Sequence, residues 1–238
     1  MIYIIIVLIT FLAGLVQGVT GFGSCIVIMM VLPHYFPLAQ AAGIAVSSTL
    51  IMGIIMILRY RKNILVKQAL LPSVLYLMVT SLVIHYSAAM DPRIMKKALG
   101  VFLILLSEYY LGFAKSDQNH KMPLIIAIFC IVISATCDGL FGIGGPLMVL
   151  YFLSRTKNLH EYLGTLQLFF LVNNVYNTSF RFYKGILKPE HLIFITVGMV
   201  GIFLGTMVAG KIVDKVKTTV LRKLVYGMIG ISGIINLL

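Results

Sequence analysis

The chain has 238 residues, 60% of them hydrophobic and only 11% charged, with a mean hydropathy of +1.03. A soluble domain of this length needs a charged surface that this sequence does not have. The formal net charge of +12 does not point to nucleic acid, because the basic residues sit in short stretches between apolar runs, as at Arg59, Arg61, Lys62 and Lys67.

The apolar runs are each long enough to cross a bilayer, and none alternates with the period of two that a barrel strand requires. The expected fold class is an all-α polytopic membrane protein. A first helix covers residues 2–19. It lacks the basic n-region of a cleaved signal peptide, so it reads as a retained helix. Residues 22–32 are too few to cross as a helix at ~1.5 Å per residue, and they read as a half-helix or re-entrant limb. Helices follow over 38–58, over 69–88 with Pro72 in the first turn, and over 94–113.

The most polar stretch, 114–122, falls near the midpoint and reads as a linker between two homologous halves, 1–113 and 123–238. The second half repeats the plan. It has a helix over 123–138, a short limb over 146–153, helices over 161–180 and 190–209, a basic loop over 211–217 and a last helix over 218–238. The total is about eight full transmembrane helices and two short broken or re-entrant half-helices.

The two limbs follow two related glycine motifs. The second is Cys137-Asp138-Gly139-Leu140-Phe141-Gly142-Ile143-Gly144-Gly145-Pro146, and the first is Gln17-Gly18-Val19-Thr20-Gly21-Phe22-Gly23-Ser24. An offset of 121 residues aligns Gln17 with Asp138, Gly21 with Gly142 and Gly23 with Gly144. If each broken region counts as a crossing, 13 of the 19 Lys and Arg fall on one side of the membrane. The positive-inside rule then favours inverted repeats with both termini outside. Arg181 is counted among the loop charges of the other side.

Unwound backbone inside a membrane is tolerated where it is buried in protein or lines a wet cavity. The N-terminus of a half-helix offers unpaired N–H groups and a partial positive charge, which suits an anion. Pro146 reads as the first position of the second limb, and Ser24 as the cap of the first. Gln17, Thr20, Gly21, Gly23, Ser24, Asp138, Gly142, Gly144, Gly145 and Pro146 are therefore candidate substrate-binding residues. Close helix packing by small residues is the competing explanation for the glycines.

Gln167, Asn174, Asn177, Thr178 and Arg181 share one helical face, and Asn174 and Asn177 join the candidate site. Interhelical hydrogen bonding explains that face equally well. Gly53 stands where Asn174 would fall at the same offset, so any site is expected to be asymmetric. Asp138 and Glu108 are the acids deepest in apolar segments and are candidate proton carriers. Asp138 alternatively caps the broken helix by accepting backbone N–H groups. His85 reads as a surface residue near a helix end. Cys25, Cys130 and Cys137 have no metal-ligand spacing, and the five histidines are scattered, so no metal and no cofactor are expected.

At these two glycine motifs the sequence resembles the sulfite exporter TauE/SafE family, also called the toluene-sulfonate uptake permease (TSUP) family. The resemblance covers the length, the two halves and the motif after the first helix of each. It implies a transporter of the cell membrane that carries sulfite, sulfoacetate or other organosulfonates, and it marks Gly142, Gly144, Gly145 and Pro146 as family positions. Where the family often has Gly-Phe-Gly-Gly, this chain has Ser24 in the last place.

The expected function is a secondary transporter or facilitator of small, sulfur-containing anions, working by alternating access around the broken helices. The partners are then a small anionic solute and membrane lipid. A coupling ion, proton or sodium, and self-association into a homo-oligomer are left open. No Walker-type motif and no cluster of nucleophile and base is present, so neither a nucleotide-driven pump nor an enzyme is expected. A membrane scaffold or an ion channel remains an alternative.

Overall fold

The computed structural model of the chain describes residues 2–87, 90–112, 122–212 and 234. Apart from Met122 and Ile234, the expected linker and the expected last helix fall outside the described residues. Every regular element among the described residues is helical.

Five segments are long and apolar enough to cross a membrane. They are α1 (Ile2–Thr20), the bent pair α3 (Leu38–Ser48) and α4 (Leu50–Tyr60), α5 (Val66–Ser87), α7 (Leu124–Phe141) and α10 (Leu192–Ile212). Two further helices, α6 (Pro92–Gly112) and α9 (Leu159–Tyr183), are of similar length but carry more polar residues. At 25 residues α9 is about 38 Å long, enough to span hydrocarbon. The two expected limbs are present as α2 (Ser24–Met29) and α8 (Gly145–Leu153).

Packing joins helices far apart in the chain. α1 lies along α10, and α5 lies along α7. The first seam is close because both helices offer glycine. A Cβ on Gly14 would stand 2.5 Å from the Ile202 carbonyl oxygen, and one on Gly205 would strike the Phe11 carbonyl. The second seam carries Gly139 against Val83, with the Thr80 hydroxyl donating to the Ala135 carbonyl at 3.2 Å. Helix α9 runs through the middle against α3, α4, α5 and α8. The outer surface carries bare apolar side chains such as Leu71, Ile125 and Phe129, as a lipid-facing surface does.

Three expectations are corrected. The helix expected over 38–58 bends at Thr49, whose N–H is shared between the Ala45 and Val46 carbonyls while its hydroxyl bonds back to Val46 at 2.7 Å. Pro72 is interior to its helix rather than in the first turn, because α5 already starts at Val66, with the Leu65 carbonyl accepting from Gln68 and Ala69. Arg181 is not a loop charge. It is completely buried, so it drops out of the count of surface charges on either side.

Candidate functional site

Both glycine motifs end a helix and start a short one. In the first, Gly21 (φ 84°) and Gly23 (φ 101°) both lie at positive φ; in the second, Gly142 does (φ 70°). These are backbone conformations that a side chain disfavours. The two breaks lie against each other, since a Cβ on Gly145 would meet the Phe22 Cβ at 3.6 Å. Between them is a cavity of about 40 Å³, room for a few waters where one needs ~10–15 Å³.

Eight of the sequence-predicted residues line this cavity: Gln17, Gly23, Ser24, Asp138, Gly142, Gly144, Gly145 and Asn174. The other four stand behind it. Thr20 donates its hydroxyl to the Val16 and Phe22 carbonyls, at 2.8 and 2.7 Å, and so holds the first break together. The Gly21 carbonyl accepts from Gln167 Nε2 at 2.7 Å. Pro146 borders a separate apolar cavity of about 210 Å³ between α6, α7 and α8. Asn177 is fully buried and donates from Nδ2 to Asp138 Oδ2 at 2.5 Å. Glu108 lies on the exposed side of α6, outside the cavity, and His85 is likewise exposed.

Two local expectations change. Gly23, not Ser24, holds the N-cap position of α2, so Ser24 is already the first residue of the helix. The capping group comes from α1. Gln17 Oε1 accepts the Ser24 N–H at 3.2 Å and also the Ser24 hydroxyl. The leading N–H of the first limb is therefore already used. Asp138 does not repeat this arrangement. Its carboxyl is bonded by the Asn177 amide and the Tyr76 hydroxyl.

The polar face of α9 bonds to neighbouring helices, although Asn173 Oδ1, Asn177 Oδ1 and Arg181 Nε are buried without a hydrogen-bond partner. Asn174 Nδ2 donates to Thr49 Oγ1 at 3.0 Å, and Asn173 Nδ2 to Ser73 Oγ at 3.0 Å. The Thr178 hydroxyl meets that of Ser47 at 3.0 Å. Arg181 donates to the carbonyls of Ala39 (3.0 Å), Asp138 (3.3 Å) and Gly139 (2.8 Å). It thus places a cation at the C-terminal carbonyls of α7, where the helix dipole is negative.

Sequence reasoning missed Cys25, Ile26, Thr49, Ile143 and Phe170 on the cavity wall, and Tyr76 just behind it. Both polar residues among these, Thr49 and Tyr76, did carry a pattern: Thr49 ends the run Ser47-Ser48-Thr49, and Tyr76 shares a helical face with Ser73 and Thr80. Arg181 carried one too, since it continues the stripe four residues beyond Asn177. Among the described residues no group of three or more His, Cys, Asp or Glu is placed to hold a metal ion.

The fold and cavity define a class: a multi-pass helical membrane protein whose glycine-broken helices enclose a small polar cavity. Over residues 6–235 the chain matches the family described as sulfite exporter TauE/SafE, and it belongs to that family of membrane transporters. It is also similar to a probable membrane transporter protein of Methanocaldococcus jannaschii, with 28% identity over 171 residues. That match covers 64% of this chain and 62% of the relative, less than two thirds of its length. No solved structure matches the chain.

Proposed function

We propose that this protein is a secondary transporter or facilitator of small sulfur-containing anions, such as sulfite or a small organosulfonate, in the cell membrane. The observation that carries the reading is the cavity itself, walled by both glycine breaks and by Gln17, Ser24, Thr49 and Asn174. The α8 N-terminus reaches it through Gly144 and Gly145. A nine-residue helix that presents its N-cap Gly144 and first residue Gly145 to a polar cavity turns the positive end of its dipole there, which favours an anionic head group, although its second residue, Pro146, has no N–H to offer. The small volume favours a compact oxyanion over an aryl sulfonate in this conformation. The substrates implied by the family's name agree with this choice.

The halves 1–113 and 123–238 act as inverted repeats that rock about the cavity, with both termini outside. The exchange of partners between halves supports this. At the offset of 121 residues α1 corresponds to α7 and α5 to α10, so the α1–α10 and α7–α5 seams are each other's equivalents.

The test is thermal stabilisation of the purified protein by sulfite, thiosulfate, sulfoacetate, taurine, acetate and chloride, followed by flux into proteoliposomes. A ligand at 100 times its Kd stabilises by ~2.7 kcal/mol. A shift with sulfur oxyanions that is lost in Gly144→Leu is expected. Stabilisation by none of these anions, or by chloride alone, overturns the sulfur-anion reading.

A further inference from the structure

Among the described residues that line the cavity there is one acid, Asp138, and no Lys, Arg or His. Among the described residues the cation that acts on Asp138 is Arg181, and its bonds go to the carbonyls of Ala39, Asp138 and Gly139. The buried region thus holds one positive and one negative group before any solute arrives. An anion entering beside Asp138 would bring two negative groups together away from water. Paired carboxylates in that situation hold a proton between them, because two bare charges at such range repel strongly where solvent does not screen them.

We propose that the anion and Asp138 share one proton in the loaded site, so that each anion is bound and carried together with a proton. This rests on the anion-transport reading above and names its coupling ion. The proton comes from the aqueous side that supplies the anion. It sits on the carboxyl when the anion has no basic oxygen, as in a sulfonate, and is shared when the anion is a weak acid such as hydrogensulfite. Loading a monoanion then leaves the net charge of the site unchanged.

The groups that face the carboxyl are hydrogen-bond donors and a cation, which suit the bare carboxylate before an anion enters. Tyr76 from α5 donates its hydroxyl to it, and Asn177 from α9 donates its amide. Cys25 from α2 and the adjoining Cys137 are the neighbouring thiols, and Arg181 from α9 is the neighbouring cation. None of them is a second carboxylate, so Asp138 is the group with which an entering anion competes for charge balance.

The experiment is titration calorimetry of the purified full chain with methanesulfonate and with thiosulfate, anions that carry no proton near neutral pH. Each titration is run in two buffers of different ionisation enthalpy between about pH 7 and 8. Uptake near one proton per methanesulfonate is expected, with Kd rising tenfold per pH unit. In Asp138→Asn the uptake and the pH slope are expected to vanish, whatever the remaining affinity. If that variant does not fold, infrared difference spectra of the wild type decide, since binding must produce the carbonyl band of a protonated carboxyl. Binding without proton uptake and without that band overturns proton sharing and leaves the anion site standing. Binding of neither anion overturns both readings.

Discussion

The two glycine breaks share a spacing and differ in what holds them. At the first, neutral amides do the work. Gln17 closes on Ser24, and Gln167 reaches over to the Gly21 carbonyl and to Gln17. At the second, charged groups take those places. Asp138 occupies the position of Gln17, and Arg181 holds the carbonyls at the end of α7. At the offset of 121 residues that relates the two motifs, Tyr60 stands where Arg181 does, so the cation has no counterpart at the first break. A hydrogen-bonded amide pair does not change charge with its surroundings, whereas a buried carboxylate beside a buried guanidinium responds to any further charge. The first break therefore reads as the fixed wall of the cavity and the second as its responsive wall.

The largest test of this contrast is Arg181→Met. Removing one member of a buried charged set and leaving three carbonyls without their donor is expected to cost about 3–5 kcal/mol. A matching loss in the midpoint of unfolding in detergent checks it. Little change would mean that water replaces the guanidinium and that the second break is not held by charge.

Next is Gly144→Ala, because a Cβ there would collide with the Tyr76 hydroxyl that lies over it. Transport in proteoliposomes is expected to fall at least tenfold, and pairing the change with Tyr76→Phe is expected to recover part of it. Gly145→Ala, one residue on, meets nothing closer than 3.6 Å and is expected to cost little. Equal effects from the two glycines would sink the assignment of Tyr76 as the cover over this break.

At the first break Gln17→Leu removes the acceptor for both Ser24 donors, and a loss of about 1–3 kcal/mol is expected for buried donors left unpaired. Thermal unfolding measures it, and the loss should not depend on pH, in contrast to any change made at Asp138. Smaller still is Gly23→Ala, where a Cβ has 3.6 Å of room but φ is 101°. Only the backbone strain remains, roughly 1–2 kcal/mol.

Much of the fold is legible in the residues. Apolar runs mark the long helices, and the glycine motifs mark both breaks within three residues of the observed ones. The bend at Thr49 is marked in the chain only by the run Ser47-Ser48-Thr49, and which of these hydroxyl residues interrupts the helix depends on one shared N–H. The candidate cavity was partly legible. Asp138 and Asn174 stood out as polar residues in a membrane segment, and Gly144 as part of a repeated glycine motif. Tyr76 lies on a polar face with Ser73 and Thr80, but the partner of its hydroxyl, Asp138, is set only when another helix brings that carboxyl under it.

The amino-acid sequence by itself determined the membrane class, the positions of the helix breaks and the residues able to turn there. These depend on local hydrophobicity and on backbone freedom, which each residue carries with it. Only the tertiary structure decided that the two breaks meet, that Arg181 is a buried cap and not a surface charge, and that Gln17 rather than Ser24 closes the first limb. Those outcomes depend on which groups arrive within about 3 Å of each other across helices far apart in the chain, and buried hydrogen bonds act only at that range.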